Sequence, residues 1–139
     1  MTREELLDAL ESGKTGPALD RHIARFFGWI EVRRAPRFGT KMRRYWVHPA
    51  DTQSDGYVSE DSLHGIELYR EPPRFTVSVD AAMTLLVPDG WEFQGISRLS
   101  GDRWLAHFCH AGMNSWIDGE SVSPSAAICA GALRSFGDD

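Results

Sequence analysis

The sequence predicts an α+β fold in which a small antiparallel sheet of three or more strands is sandwiched between helices. Three observations carry this expectation. Apolar residues recur at helical spacing in several separated stretches, most with a helix-start residue before them. Between them lie runs rich in Trp, Tyr, Phe, Val and Ile, bounded by Gly, Pro, Asn and Asp, which read as strands joined by turns. The resulting order is helix, helix, hairpin insert, helix, strands, helix, and layers bury all of these apolar faces. The 139 residues fit one domain, with an extra N-terminal helix within 1–15 and a long charged insert at 30–72. Hydrophobic and charged fractions of 42% and 25% exclude a disordered, collagenous or low-complexity chain.

Thr2 and Glu5 have capping-box spacing, and Leu6, Leu7 and Leu10 share a face, so a short helix is expected over 3–12. Thr15-Gly16-Pro17 starts a second over 17–27, with Leu19, Ile23, Phe26 and Phe27 as its stripe and Gly28 as its stop. Trp29–Val32 and Met42–Val47 read as a hairpin around Pro36 and Gly39. Residues 49–73 read as a long connection with a short strand at Gly65–Tyr69, stiffened by Pro72-Pro73. A third helix is expected over 76–87, capped by Ser78 or Thr76, with Val79, Ala82, Met83 and Leu86 inward. Asp80 suits the dipole in its first turn. A meander follows at Trp91–Leu99, Arg103–His110 and Ser115–Asp118. Ser123-Pro124 opens the last helix, which buries Ile128, Cys129, Ala132, Leu133 and Phe136.

Three blocks of this pattern resemble a known family. PRFTVSVDAAMTLLVPDGW, from Pro73 to Trp91, is similar to the signature of phage ABA-sandwich domain proteins. There a proline and an aromatic lead into a Thr-x-Ser-x-Asp-Ala-Ala helix and a Pro-x-Gly-Trp turn. Ser123–Arg134, SPSAAICAGALR, resembles the family's last helix, and Leu19-Asp20 through Gly28-Trp29 its first. Residues 30–72 and the helix at 3–12 lie outside the pattern. The resemblance implies a small phage or prophage protein with a helix–sheet–helix sandwich. It implies no established activity and brings no catalytic residues.

Fifteen basic and twenty acidic residues give a net charge of −5. The whole therefore disfavours broad attraction to DNA or an anionic membrane. The distribution is uneven. From Val32 to Ala50 there are six basic residues and no acidic one; residues 51–71 carry six acidic residues against Arg70. No stretch is long and apolar enough for a membrane span, and the N-terminus lacks a secretory pattern, so the cytosol of the cell that makes it is expected, which the phage resemblance implies is a bacterial host cytoplasm. Cys109 and Cys129 fit that compartment as free thiols and small core residues.

Four candidate chemistries emerge. His107, Cys109 and His110 suggest zinc by residue type, yet on a strand only His107 and Cys109 share a face. A site would need further ligands such as His48 or His64, which the spacing does not supply. A Cys–His nucleophile from the same residues lacks a third, orienting group, and the chain has no Gly-x-Ser-x-Gly elbow. No glycine-rich loop is placed to cradle phosphate. The basic–aromatic stretch Arg33, Arg34, Arg37, Lys41, Arg43, Arg44, Tyr45 and Trp46 is the best binding candidate, because arginines grip anions and aromatic faces stack. Against it, the neighbouring acidic segment offers internal ion pairs. Trp46 and Trp116 could line an exposed patch, but core packing is the favoured reading for both.

The residues favour a non-enzymatic binding module for a protein or a small anionic ligand through Arg33–Trp46, which the resemblance implies is a phage or prophage accessory protein acting on a host bacterial protein or such a ligand. No catalytic residue, metal or cofactor is assigned, and no membrane contact is expected. A nucleic-acid binder using the same stretch is the alternative. A small metal-dependent or thiol enzyme is the second alternative.

Overall fold

Thr2 and Glu5 cap the first helix as their spacing requires. Glu5 N donates to Thr2 Oγ1 at 3.2 Å, and Thr2 N donates back to Glu5 Oε1 at 3.4 Å. They open α1 (Arg3–Glu11), which buries Leu6, Leu7 and Leu10. The computed structural model describes residues 1–34, 43–49, 68–85, 87–88, 90–110 and 112–136. Its other helices are α2 (Pro17–Phe26), α3 (Val79–Leu85) and α4 (Pro124–Ser135). Ser123 Oγ accepts from Ala126 N at 3.3 Å and Pro124 sits in the first turn of α4, the N-cap arrangement its sequence spells out.

The architecture is α+β, with two small antiparallel sheets, one of them packed against helices. There are two three-stranded sheets. One has the order β1 (Ile30–Arg34), β2 (Arg43–Val47), β3 (Leu68–Tyr69); the other has β4 (Trp91–Arg98), β5 (Trp104–His110), β6 (Ser115–Ser121). The predicted hairpin turn around Pro36 and Gly39, and most of the predicted connection at 49–73, lie outside the described residues. Among the described residues no helix is long and apolar enough to cross a membrane.

Contacts divide the chain into two compact units: Met1–His22 with Pro73–Asp139, and Ile23–Pro72. In the first, α4 packs on one face of the β4–β6 sheet, and α1 and α3 pack on α4. Leu6, Leu10, Phe75, Phe108, Ile128 and Leu133 are fully buried there. Sheet and helix approach so closely that two glycines are required. A Cβ on Gly119 of β6 would overlap Gly131 N and Ala127 O in α4, and a Cβ on Gly131 would overlap the Phe108 ring.

A buried polar cluster fixes the turn before α3. Thr76 N donates to Asp20 Oδ1 at 2.9 Å, Gly16 N to Thr76 Oγ1 at 3.0 Å, and Ser125 Oγ to Thr76 O at 2.8 Å. The Cys129 thiol donates to Phe75 O at 3.2 Å, and burial pushes its pKa up. Thr76 is thereby taken by partners far along the chain and does not cap α3. Ser78 does, accepting from Ala81 N, so the helix begins three residues later than the predicted 76. Other expectations are also corrected. β6 runs to Ser121, beyond Asp118, because it pairs with β5 over its whole length. Val79 and Phe136 are exposed, the first at the start of α3 and the second as the C-cap of α4. Cys109 is half-buried, because its strand face is not the one under α4.

Asp20 gives a pH test of this cluster. Burial raises its carboxyl above the ordinary range, against the Thr76 hydrogen bonds and the charges of Arg74 and Arg21. A raised folded-state pKa means that stability is full below the unfolded value of about 3.9 and falls as pH rises through the folded value. Asp20→Asn keeps an acceptor for Thr76 N and removes the charge. Urea unfolding at a series of pH values should therefore show the variant gaining on the parent from about pH 4 upward, then levelling off. The opposite slope would mean that the Thr76 bonds outweigh burial.

Candidate functional site

The basic candidate residues lie on the β1–β2 pair. Its register sets Arg33 opposite Arg44 and Arg34 opposite Arg43. Alternation puts Glu31, Arg33, Arg44 and Trp46 on one strand face. Glu31 takes Arg25 at 3.3 Å and Arg44 at 3.5 Å. Arg33 is exposed and has no ion-pair partner among the described residues. One carboxylate thus faces three guanidinium groups. Arg37 and Lys41 lie outside the described residues.

Core packing, the favoured reading for Trp46 and Trp116, holds for the first and fails for the second. Trp46 is only 2% exposed, and the Arg25 guanidinium lies 5.0 Å from its ring centroid. Tyr45, on the opposite strand face, is half-buried with Arg70 at 5.6 Å. Trp46 is therefore a packing residue, covered by a cation that also neutralises Glu31. Trp116 is the exposed tryptophan, at 67%.

The β4–β6 sheet presents a second arrangement. Its face away from α4 carries Ser97, His107, Cys109, Trp116 and Asp118. His107 pairs across the strands with Asp118 on one side and Gly95 on the other. A bulge between Phe93 and Gly95 inserts Gln94 and reverses the alternation of β4. Phe93 therefore faces Phe108 under the helix, while Ser97, four residues on, shares the outer face with His107. His107 Nδ1 stands 2.8 Å from Asp118 Oδ1, and Nε2 stands 2.8 Å from Ser97 Oγ. A carboxylate only accepts, so Nδ1 carries the hydrogen toward Asp118, and Nε2 of the neutral ring accepts from the Ser97 hydroxyl.

The residues that suggested zinc part company. Cys109 Sγ accepts from Gln94 Nε2 at 3.2 Å, and His110 Nδ1 accepts from Met113 N at 3.1 Å on the other face. His48 packs edge-on against Trp29 in the second unit, and His64 lies outside the described residues. Among the described residues no group of three His, Cys, Asp or Glu is placed to hold a metal ion. Sequence reasoning named His107 and missed both of its partners. The isolated Gly95 inside a strand-like run was the available signal, since such a glycine marks a bulge. In comparisons with known proteins, no family model, no curated protein and no solved structure matches the chain.

Proposed function

We propose that the protein is a binding module for an anionic group, carried by a small ligand or by an acidic host protein, and that Arg33 and Arg44 form the contact. This suits the phage or prophage accessory role implied by the resemblance at Pro73–Trp91 and Ser123–Arg134. The observation that carries the reading is the register, which sets Arg33 directly opposite Arg44 on one strand face. Like charges directly opposite destabilise a strand pair by about 0.2–1 kcal/mol. An anion lying across them relieves that repulsion and gains charge-assisted hydrogen bonds. Nucleic acid is the weaker reading. Base stacking contributes about 1–3 kcal/mol per base, yet Trp46 is buried and Arg70 already lies over the Tyr45 ring.

Calorimetric titration with pyrophosphate, poly-glutamate and a single-stranded oligonucleotide at about 50 and about 200 mM salt tests the proposal. Saturable binding of pyrophosphate or poly-glutamate is expected, weakening with salt and falling about tenfold or more in Arg33→Glu/Arg44→Glu. Tighter binding of the oligonucleotide would favour the nucleic-acid reading. No binding at the lower salt would remove both.

A further inference from the structure

We propose that Ser97, His107 and Asp118 form an acyl-transfer site for activated carboxylic esters. Ser97 is the nucleophile, His107 the general base, and Asp118 the positioning residue that holds the imidazole. The proposal goes beyond the anion-binding reading and shares no residue with it.

The geometry supports these roles atom by atom. Each ring nitrogen of His107 has one partner, and each partner has the required chemistry. An acceptor-only carboxylate lies at Nδ1, and a hydroxyl lies at Nε2, both at 2.8 Å. This is the division of labour in a Ser-His-Asp triad, which is recognised by geometry and roles and not by sequence position. Three strands hold it: Ser97 on β4, His107 on β5 and Asp118 on β6, with His107 and Asp118 directly paired in register. Ser97 is exposed, so its oxygen can be reached from solvent. Beside it, nothing other than Gly95 and its chain neighbours lies within 4 Å of the place a Gly95 Cβ would occupy, which leaves room over the sheet at the position paired with His107.

In the acylation step, Ser97 Oγ bonds to the ester carbonyl carbon while its proton passes to His107 Nε2. The carbonyl electron pair moves onto oxygen. Collapse of that adduct breaks the bond to the leaving alcohol or phenol, which departs with the proton from His107. Water then repeats the sequence, releasing the carboxylic acid and restoring the Ser97 hydroxyl. Gln94, the side-chain amide closest in sequence to Ser97, is engaged by Glu92 and Cys109. The proposal assigns no protein donor to the developing oxyanion, which solvent water meets. A fixed oxyanion donor is worth about 10²–10³ in rate, so turnover is slow and confined to esters with good leaving groups.

The test uses the full chain with a fluorophosphonate probe, peptide mass spectrometry to locate the adduct, and p-nitrophenyl acetate as substrate. Ser97 is expected to carry the label, and Ser97→Ala to lose both label and esterase activity. His107→Gln should slow labelling about 10²-fold or more. Asp118→Asn should slow it while Asp118→Glu restores part of the rate, the melting temperatures of the two staying alike. A merely structural aspartate would not separate that pair. The Arg33→Glu/Arg44→Glu protein should label at the parental rate, so either proposal can fail alone. Labelling of Ser97 no faster than other serines, or at an equal rate in His107→Gln, overturns the assignment.

Discussion

Gly119→Ala is expected to unfold the first unit under conditions in which the parent chain is fully folded. Alanine ordinarily suits a β-strand no worse than glycine. Here the added methyl would overlap Gly131 N and Ala127 O and stand 2.7 Å from Gly131 Cα. All three are main-chain atoms of α4. No rotamer change can move them; the helix must lift off the sheet. That separation would open the layer holding Phe108, Ile128 and Leu133, each fully buried. A loss of about 4 kcal/mol or more is expected, in the exceptional range for a single substitution. Urea unfolding followed by circular dichroism reads it. A loss below about 1 kcal/mol would show that α4 slides on the sheet at little cost.

Gly131→Ala should also destabilise, but in a way that a second substitution can repair. Within a helix, alanine is favoured over glycine by about 1 kcal/mol. The added methyl meets the Phe108 ring, overlapping Cε2 and standing 2.6 Å from Cδ2. The ring cannot swing freely, because it is fully buried and packs edge-on against Phe93 at 5.6 Å. Overpacking of this kind costs about 1–3 kcal/mol. Phe108→Leu removes the obstructing edge and by itself leaves a void. The double variant should therefore be more stable than the sum of the singles by about 1–2 kcal/mol. Strict additivity in that cycle would place the loss somewhere other than the Phe108 contact. No side-chain truncation should rescue Gly119→Ala in the same way.

What could be read from the sequence was governed by how local its causes are. Thr2 with Glu5, and Ser123 with Pro124, close hydrogen bonds within one turn, so their spacing identified two helix starts that the structure contains. Thr76 offered the same local signal and went elsewhere, because Asp20, Gly16 and Ser125 claim its polar groups across the fold. The strands were legible from composition, but their registers were not. Arg33 could be recognised as basic; that it stands opposite Arg44 depends on pairing. Simple alternation from Trp91 and Phe93 would turn Ser97 inward, and the extra residue Gln94 turns it outward. The aromatics were ambiguous for a related reason. Trp46 and Trp116 both lie in strands with polar neighbours, and only what packs over each one separates them.

The first unit is assembled from both ends of the chain, and this sets an order of events during synthesis. Ser121 Oγ donates to Leu10 O across 111 residues, and Arg103 Nη1 donates to Glu11 O across 92. A ribosome adds about 5–20 residues per second. The leucines of α1 therefore wait for seconds before the surface that covers them exists. A helix of nine residues is too short to persist alone in water. On the ribosome, α1 is an unstructured amphipathic segment whose leucines stay uncovered until its partners are made, and for that interval it is open to chaperones and proteases.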